Sequence, residues 1–388
     1  MTRTSIFFLY FAAIFLQAGA YGLTFMLPRL FESFGANEKV VGVMLLLTTL
    51  STIVSVYFSG HLSDFLGRLR TLGFACFTIA VSLALYSVIE TVGIGLIVAS
   101  LLLGFGWGLT YTLSPIVLTR LVTTEERVTY FTLLSVFVMA GFGLSPVIAS
   151  FLETSGYSIR EAFLLTAGTC LLSAILFFVL DGPVRANAIT NQPEAPSRIT
   201  FSSLYEVLKS RARLPIIMVF LGASVFAGMN NFQTVYADAR GLDYANFFLT
   251  YTITVVILRL VLAKFKGGSN PYFTIALLQT CMVLSVVLFL FSGANFSLYL
   301  MVAVLFGIGY GVSYPLVVSV TAGDARDDLS AQTLQLFALS YFIGIFGFPL
   351  IAGWMIVEVG VTPLLILVAA MAAIEASMAL SRSFRTKS

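Results

Sequence analysis

Gly60-His61-Leu62-Ser63-Asp64-Phe65-Leu66-Gly67-Arg68-Leu69-Arg70 gathers one carboxylate and two guanidinium groups in a short polar stretch between two apolar runs. At a helix end, Asp64 can pair with Arg68 or meet the positive dipole end of a neighbouring helix. Such groups suit a latch better than covalent chemistry. Other reactive side chains are sparse. His61 is the single histidine, and Cys76, Cys170 and Cys281 lie in separate apolar runs with no metal-ligand spacing. No paired carboxylates, nucleophile constellation or nucleotide-binding loop occurs, so neither an enzyme, nor a metal centre, nor a cofactor is expected. The eighteen acids fall in loops or near the ends of apolar runs, Glu375 being the most buried of them. Arg259 is the one cation well inside such a run. It either contacts a solute or coupling ion, or forms a structural ion pair or snorkels to the surface.

Uncharged polar groups are better represented. Gln17, Tyr21 and Thr24 recur at helical spacing in one apolar run. Tyr111, the cluster Asn230, Asn231 and Gln233, and the group Tyr310, Ser313 and Tyr314 occupy three others. An asparagine facing lipid leaves its amide unsatisfied, so Asn230 and Asn231 face protein or water. Lining a polar cavity and hydrogen bonding between helices both account for the set. Trp107 and Trp354 read as packing or interface residues.

The elements that carry these residues follow from composition. Hydrophobic residues make up 59% of 388 and charged residues 10%, with a mean hydropathy of +1.00. Soluble domains carry roughly 25% charge, so the main solvent here is lipid. A bilayer core needs roughly 20 apolar residues per helix. Twelve runs qualify, near 5–28, 40–61, 71–90, 93–119, 129–152, 161–180, 214–236, 244–264, 271–292, 295–321, 330–356 and 361–380. The first is too long for a signal peptide and is read as a retained span. Sixteen of the 21 Lys and Arg fall on the side shared by the termini, which makes that side cytoplasmic. The stretch from Asp181 to Arg213 is the one long hydrophilic connection. Pro183, Pro193 and Pro196 make its first part a flexible chain. Ser203-Leu204-Tyr205-Glu206 has capping-box form and opens a short amphipathic helix expected on the cytoplasmic face.

Adding 203 to a residue number maps the first half of the chain onto the second. Gly104, Gly106, Gly108 and Tyr111 fall on Gly307, Gly309, Gly311 and Tyr314. Thr71 falls on Thr274, and Gly141, Pro146 and Ala149 fall on Gly344, Pro349 and Ala352. Duplication gives the expected fold class: an all-α membrane protein, twelve transmembrane helices in two pseudo-symmetric six-helix bundles. The bundles are 1–180 and 214–388, joined by a linker at 181–213. Gly104 with Gly108, and Gly307 with Gly311, are small residues at i and i+4 that admit close helix contact in lipid. Pro115, Pro146, Pro315 and Pro349 are expected to bend their helices. Gly141 and Gly344 belong to the same packing and hinge set.

The Gly60–Arg70 stretch matches Gly-x-x-x-Asp-x-x-Gly-Arg-x-(Arg/Lys) and so resembles the signature loop of the major facilitator superfamily. With twelve spans and the repeat, the resemblance covers essentially the whole chain. It implies a secondary active transporter that moves a small organic solute across the cell (cytoplasmic) membrane by alternating access, around a site near the midplane. Its partners would be that small-molecule substrate, a coupling ion such as a proton, and the lipid bilayer. A monomer is expected, with no cofactor and no nucleic acid. In the family this loop latches the cytoplasmic ends of the two halves, which assigns a cytoplasmic gate to Gly60, Asp64, Gly67, Arg68 and Arg70. The first helices of each three-helix repeat line the family's cavity. That assigns substrate contact to Gln17, Tyr21, Tyr111, Asn230, Asn231, Tyr310, Ser313 and Tyr314.

Gly141-Phe142-Gly143-Leu144-Ser145-Pro146-Val147-Ile148-Ala149-Ser150 is similar to an element associated with antiporters, with Ser145, Ala149 and Ser150 in place of glycines. Gly228, Phe232, Phe247, Phe248 and Tyr314-Pro315 lie in stretches similar to a bacterial efflux-permease branch. Export is therefore the expected direction. Nutrient uptake or facilitated diffusion, and a transport-inactive sensor or scaffold, are the alternatives. Three positions depart from the family pattern: Gly267 stands in the register of Asp64, Arg120 where many relatives carry an acid, and Ser100 where proton-coupled relatives often carry an arginine.

Overall fold

The computed structural model describes residues 2–123, 125–187, 201–265 and 267–385. Pro193, Pro196, Arg198, Lys266 and Lys387, used above for the linker and the charge distribution, lie outside the described residues. In chain order the α-helices are α1 (Arg3–Leu23), α2 (Leu27–Glu32), α3 (Glu38–Leu66), α4 (Arg68–Val88), α5 (Ile94–Leu121), α6 (Arg127–Thr154), α7 (Ile159–Ala186) and α8 (Phe201–Lys209). They continue as α9 (Arg213–Asn230), α10 (Gln233–Asp238), α11 (Tyr244–Val261), α12 (Pro271–Phe291), α13 (Phe296–Asp324), α14 (Ser330–Phe342), α15 (Phe348–Glu358) and α16 (Val361–Arg385). Twelve helical stretches among the described residues are long and apolar enough to cross a membrane. They coincide with the twelve runs expected from hydropathy.

Local sequence sets where these helices start and stop. Ser158, Asp243, Asn270 and Asn295 each accept a hydrogen bond from a backbone N–H of the first turn that follows. Each such cap stabilises its helix start by about 1 kcal/mol. At the other end of α3, Gly67 adopts φ 89°, a region closed to most side chains, and the chain turns directly into α4.

Three expected spans are interrupted. The first is α1, a 3₁₀ turn at Thr24–Met26, and α2. Pro28 lacks the N–H that would reach the Thr24 carbonyl, which explains the tightening there. The seventh breaks between α9 and α10, where the amides of Asn230 and Asn231 donate to the carbonyls of Phe226 and Ala227 at 2.9 and 3.2 Å. The Tyr236 hydroxyl donates to Gly228 O at 2.7 Å. The eleventh passes from α14 through a π-helical segment, Ile343–Gly347, into α15. Pro115, Pro146 and Pro315 lie inside continuous α-helices, and only Pro349 follows an irregular segment. The linker expectation also needs correction. Pro183 lies inside α7, which runs to Ala186, and α8 starts at Phe201, two residues ahead of the expected cap Ser203.

The chain divides into two compact units, Met1–Glu194 with Asp243–Ala263, and Ala195–Leu242 with Lys264–Ser388. In the first, α1 packs on α6 and α7, α4 on α5 and α7, and α3 on α5. Its core includes Phe7, Tyr10, Ile14, Leu72, Leu118 and Phe177. The segment Asp243–Ala263 groups here because α11 packs along α6. In the second unit α9 packs on α13, α14, α15 and α16, and α12 on α13 and α16. Val219, Ile275, Leu316 and Phe337 belong to its core, and α8 buries Val207 against that core.

Candidate functional site

The Gly60–Arg70 loop turns at Gly67. A Cβ there would meet the Nη2 of Arg185 at 2.7 Å. That guanidinium lies 3.2 Å from Asp181 Oδ2, to which Arg70 Nε also donates at 2.8 Å. Asp181 is only 6% exposed, so two cations on one oxygen offset the cost of burying its charge. Sequence reading placed Asp181 at the start of a solvated linker; its i,i+4 spacing to Arg185 was the available signal. Of the five assigned residues, Gly67 and Arg70 join this cluster, and Arg68 is half-buried. Gly60 and Asp64 are exposed, and Asp64 forms no ion pair among the described residues, with Arg68 or otherwise.

The first unit presents an aromatic stack beside a buried amide. Tyr21 on α1 lies between Trp107 on α5, at 4.7 Å between ring centroids, and Phe142 on α6, at 5.1 Å. Phe248 on α11 stacks on Phe25 at 5.4 Å. Gln17, one turn before Tyr21, is buried, and its Oε1 accepts no hydrogen bond. Tyr111 is half-buried on α5. Trp107 was read from sequence as packing, which is its role against Tyr21.

In the second unit the helix break at α9–α10 concentrates buried amides. The N–H₂ groups of Asn230 and Asn231 are used at the break, while their Oδ1 atoms, like Oε1 of Gln233, have no partner. Gln233 donates through Nε2 to the Tyr299 hydroxyl at 2.7 Å. On α13, Tyr310 stacks on Phe226 at 4.5 Å, Ser313 donates to Tyr310 O at 3.4 Å, and Tyr314 packs on Tyr341 at 5.1 Å. Buried polar atoms are almost always hydrogen-bonded. Orphaned acceptors collected on helices already singled out by their polarity are therefore candidate ligand contacts.

Arg259 is half-buried on α11 and donates to the hydroxyl and carbonyl of Ser135 on α6. Further contacts tie α11 to α6. At the opposite end of α11, Tyr244 donates to Glu153 Oε2 at 2.6 Å and Ser150 donates to Asp243 Oδ1 at 3.1 Å. Between them Gly143 lies against Thr252, where no Cβ would fit. The placement of Glu375 needs correction. It lies well inside α16, 3% exposed, where Gln279 Nε2 donates to its Oε1. Gly222 on α9 faces both carboxyl oxygens, and Oε2 has no partner.

Small residues set the helix approach. A Cβ at Gly104 would strike the backbone of Thr48, and at Gly108 it would meet Thr52 O at 2.8 Å. Gly141 lies against Phe15 O and Gly344 against Phe220 O. Gly307 and Gly311 are buried on α13.

Comparison with known proteins agrees with this architecture. The family model described as Major Facilitator Superfamily matches residues 9–349. No curated protein matches the chain. Among solved structures, the peptide transporter POT in complex with sulfate is similar over 98% of this chain and 94% of its own, at 17% identity and a TM-score of 0.78. The nucleoside transporter NupG is similar over 98% of each chain, at 14% identity and a TM-score of 0.75. The chain belongs to the Major Facilitator Superfamily and is a multi-pass secondary transporter of a small solute.

Proposed function

We propose that the chain exports a small, uncharged organic solute that carries hydrogen-bond donors and a planar or aromatic part, and that it works by alternating access. The observation that carries this reading is the set of buried acceptors without partners, Gln17 Oε1, Asn230 Oδ1, Asn231 Oδ1 and Gln233 Oε1. Each is neutral and calls for a donor, and a solute N–H or O–H supplies one. The Tyr21–Trp107 stack favours a flat group alongside. The proposed solute contacts are Gln17 and Tyr21 on α1, Tyr111 on α5, Asn230 and Asn231 at the end of α9, and Tyr310, Ser313 and Tyr314 on α13. Gly60, Asp64, Gly67, Arg68 and Arg70 form the cytoplasmic gate, with Asp181 and Arg185 supporting its turn.

Export is supported by the antiporter-like element on α6, whose Gly141 and Gly143 keep α1 and α11 at contact distance. The charge distribution supports cytoplasmic termini. A proton is the first coupling ion to test, and a monomer the working unit. Purified protein in proteoliposomes, given labelled nucleosides, peptides and planar amides with and without a pH gradient, tests the reading. Inside-out vesicles accumulating a neutral planar solute against an opposing proton flux is the expected result. Flux confined to strongly charged solutes, or uptake only in right-side-out vesicles, contradicts it.

A further inference from the structure

Apart from the residues assigned to solute contact, the second unit holds a cleft of about 610 Å³ where the Ser210–Arg213 turn meets the end of α16. Four cations line it: Lys209, Arg211, Arg213 and Arg382. Among the described residues no carboxylate does. Lys209 lies 4.0 Å from the ring of Tyr205, and Arg382 is held by Asp324 at 3.4 Å. Lys209, Arg211 and Arg213 have no acidic partner among the described residues, because Glu206, the nearest acid in sequence, pairs with Arg326. The rest of the wall is apolar, formed by Leu214, Ile374 and Met378.

The chemistry changes along the length of the cleft. Arg213 begins one membrane-crossing stretch and Arg382 lies at the end of another, so the cations stand at a membrane boundary. From Arg382 back to Ile374 the wall follows α16 for about 12 Å at 1.5 Å per residue, toward the interior of the span. A cluster of cations at the boundary with an apolar floor beneath it complements one kind of molecule, a phosphate headgroup carrying an acyl chain. Basic pockets between membrane helices hold such headgroups.

We propose that this cleft is a binding site for an anionic phospholipid, with its phosphate on Lys209, Arg211 and Arg213 and an acyl chain along Leu214, Ile374 and Met378. The lipid would fasten the linker helix α8 and the start of α9 to α16, and so tie a candidate solute-contact helix to the composition of the membrane. The site needs no particular solute or transport direction.

The test is binding of fluorescent phosphatidylglycerol to the full-length protein in uncharged detergent, read by anisotropy. Replacing the three exposed cations (Lys209→Gln, Arg211→Gln and Arg213→Gln together) should weaken binding about a hundredfold, from about fivefold per cation. Ser377→Trp, filling the cleft from an exposed position with every charge intact, should weaken it as well. Lys264→Gln, outside the cleft, should leave it unchanged, and thermal melting of each variant reports on its fold. Phosphatidylcholine and free glycerol phosphate should compete poorly. Unchanged affinity in the triple variant, or equal competition by phosphatidylcholine, overturns the proposal. Free glycerol phosphate competing as well as the lipid overturns the lipid assignment in favour of a soluble phosphate.

Discussion

The two units keep the same contacts in some places and part company in others, and the residues at each place explain which. Gly106 lies against Ile79, and Gly309 against Met282, each pair displaced by the repeat offset of 203. Gly141 and Gly344 each press on the first long helix of their own unit. These seams persist because both partners stayed small or apolar.

The seam between α3 and α5 is different. Thr48, Thr52 and Ser55 lie against Gly104 and Gly108. The same positions in α11 hold Tyr251, Val255 and Leu258. In the structure α11 groups with the first unit, tied to α6 at three levels. A second difference lies where three helices meet. Ser173 donates to Cys76 Sγ at 3.5 Å in the first unit and to Ala13 O on α1 at 2.8 Å. In the second unit Gln279, in the register of Cys76, holds Glu375, with Gly222 in the register of Gly19. One unit carries a mild polar pair at this junction and the other a buried carboxyl. Close packing in a membrane rests on small residues, since no hydrophobic drive separates protein from lipid there.

Substitutions at these seams would break or sharpen the comparison. The largest effect is expected from Gly104→Leu. Its side chain meets the Thr48 backbone, which cannot yield without moving α3, so a loss of about 3 kcal/mol or more is expected in thermal or denaturant unfolding. Wild-type stability there would show that the α3–α5 seam is looser than described. Next is the pair Gly222→Ala and Gly19→Ala. The first places a methyl 2.9 Å from both Glu375 oxygens and should cost about 1 kcal/mol; the second meets Thr166 Cγ2 at 3.7 Å, an ordinary contact, and should be neutral. Equal effects would erase the distinction between the two junctions.

The smallest effect concerns an ion pair at a position whose charge differs in sign between the two units. Arg3 donates to Glu126 Oε1 at 3.0 Å, while Glu206, in the register of Arg3, pairs with Arg326 at 3.2 Å. The Arg3 guanidinium holds the Glu126 carboxyl below its ordinary 4.5. A depressed carboxylate contributes stability above its unfolded value and loses it as pH falls through the folded one. Acidification from about pH 4.5 downward should therefore lower the melting temperature slightly more in wild type than in Arg3→Gln. Identical acid profiles would remove this pair from the comparison.

Much of the fold was legible in the sequence. Twelve apolar runs, the offset of 203 and the Gly60–Arg70 loop each act over a few turns of chain, where composition and spacing speak directly. What escaped depends on partners far away. Asp181 is buried because Arg70, 111 residues earlier, reaches it. Glu375 is tolerated inside its helix because Gln279, 96 residues away, donates to it. The grouping of α11 with α6 rests on Ser135, Gly143 and Glu153, and nothing in their own segments names α11 as the partner. Among the solute-contact candidates, polarity singled out Gln17, Asn230 and Asn231, but only the structure separates the bonded N–H₂ ends of the two asparagines from the orphaned oxygens.

Those orphaned oxygens are the centre of the account, and transport kinetics address them most directly. With a solute identified in proteoliposomes, Asn230→Leu combined with Gln17→Leu should raise the half-saturating concentration about tenfold or more, near 1.4 kcal/mol of lost binding, while the protein still folds and inserts. Half-saturation unchanged from wild type would contradict the assignment of these acceptors to the solute.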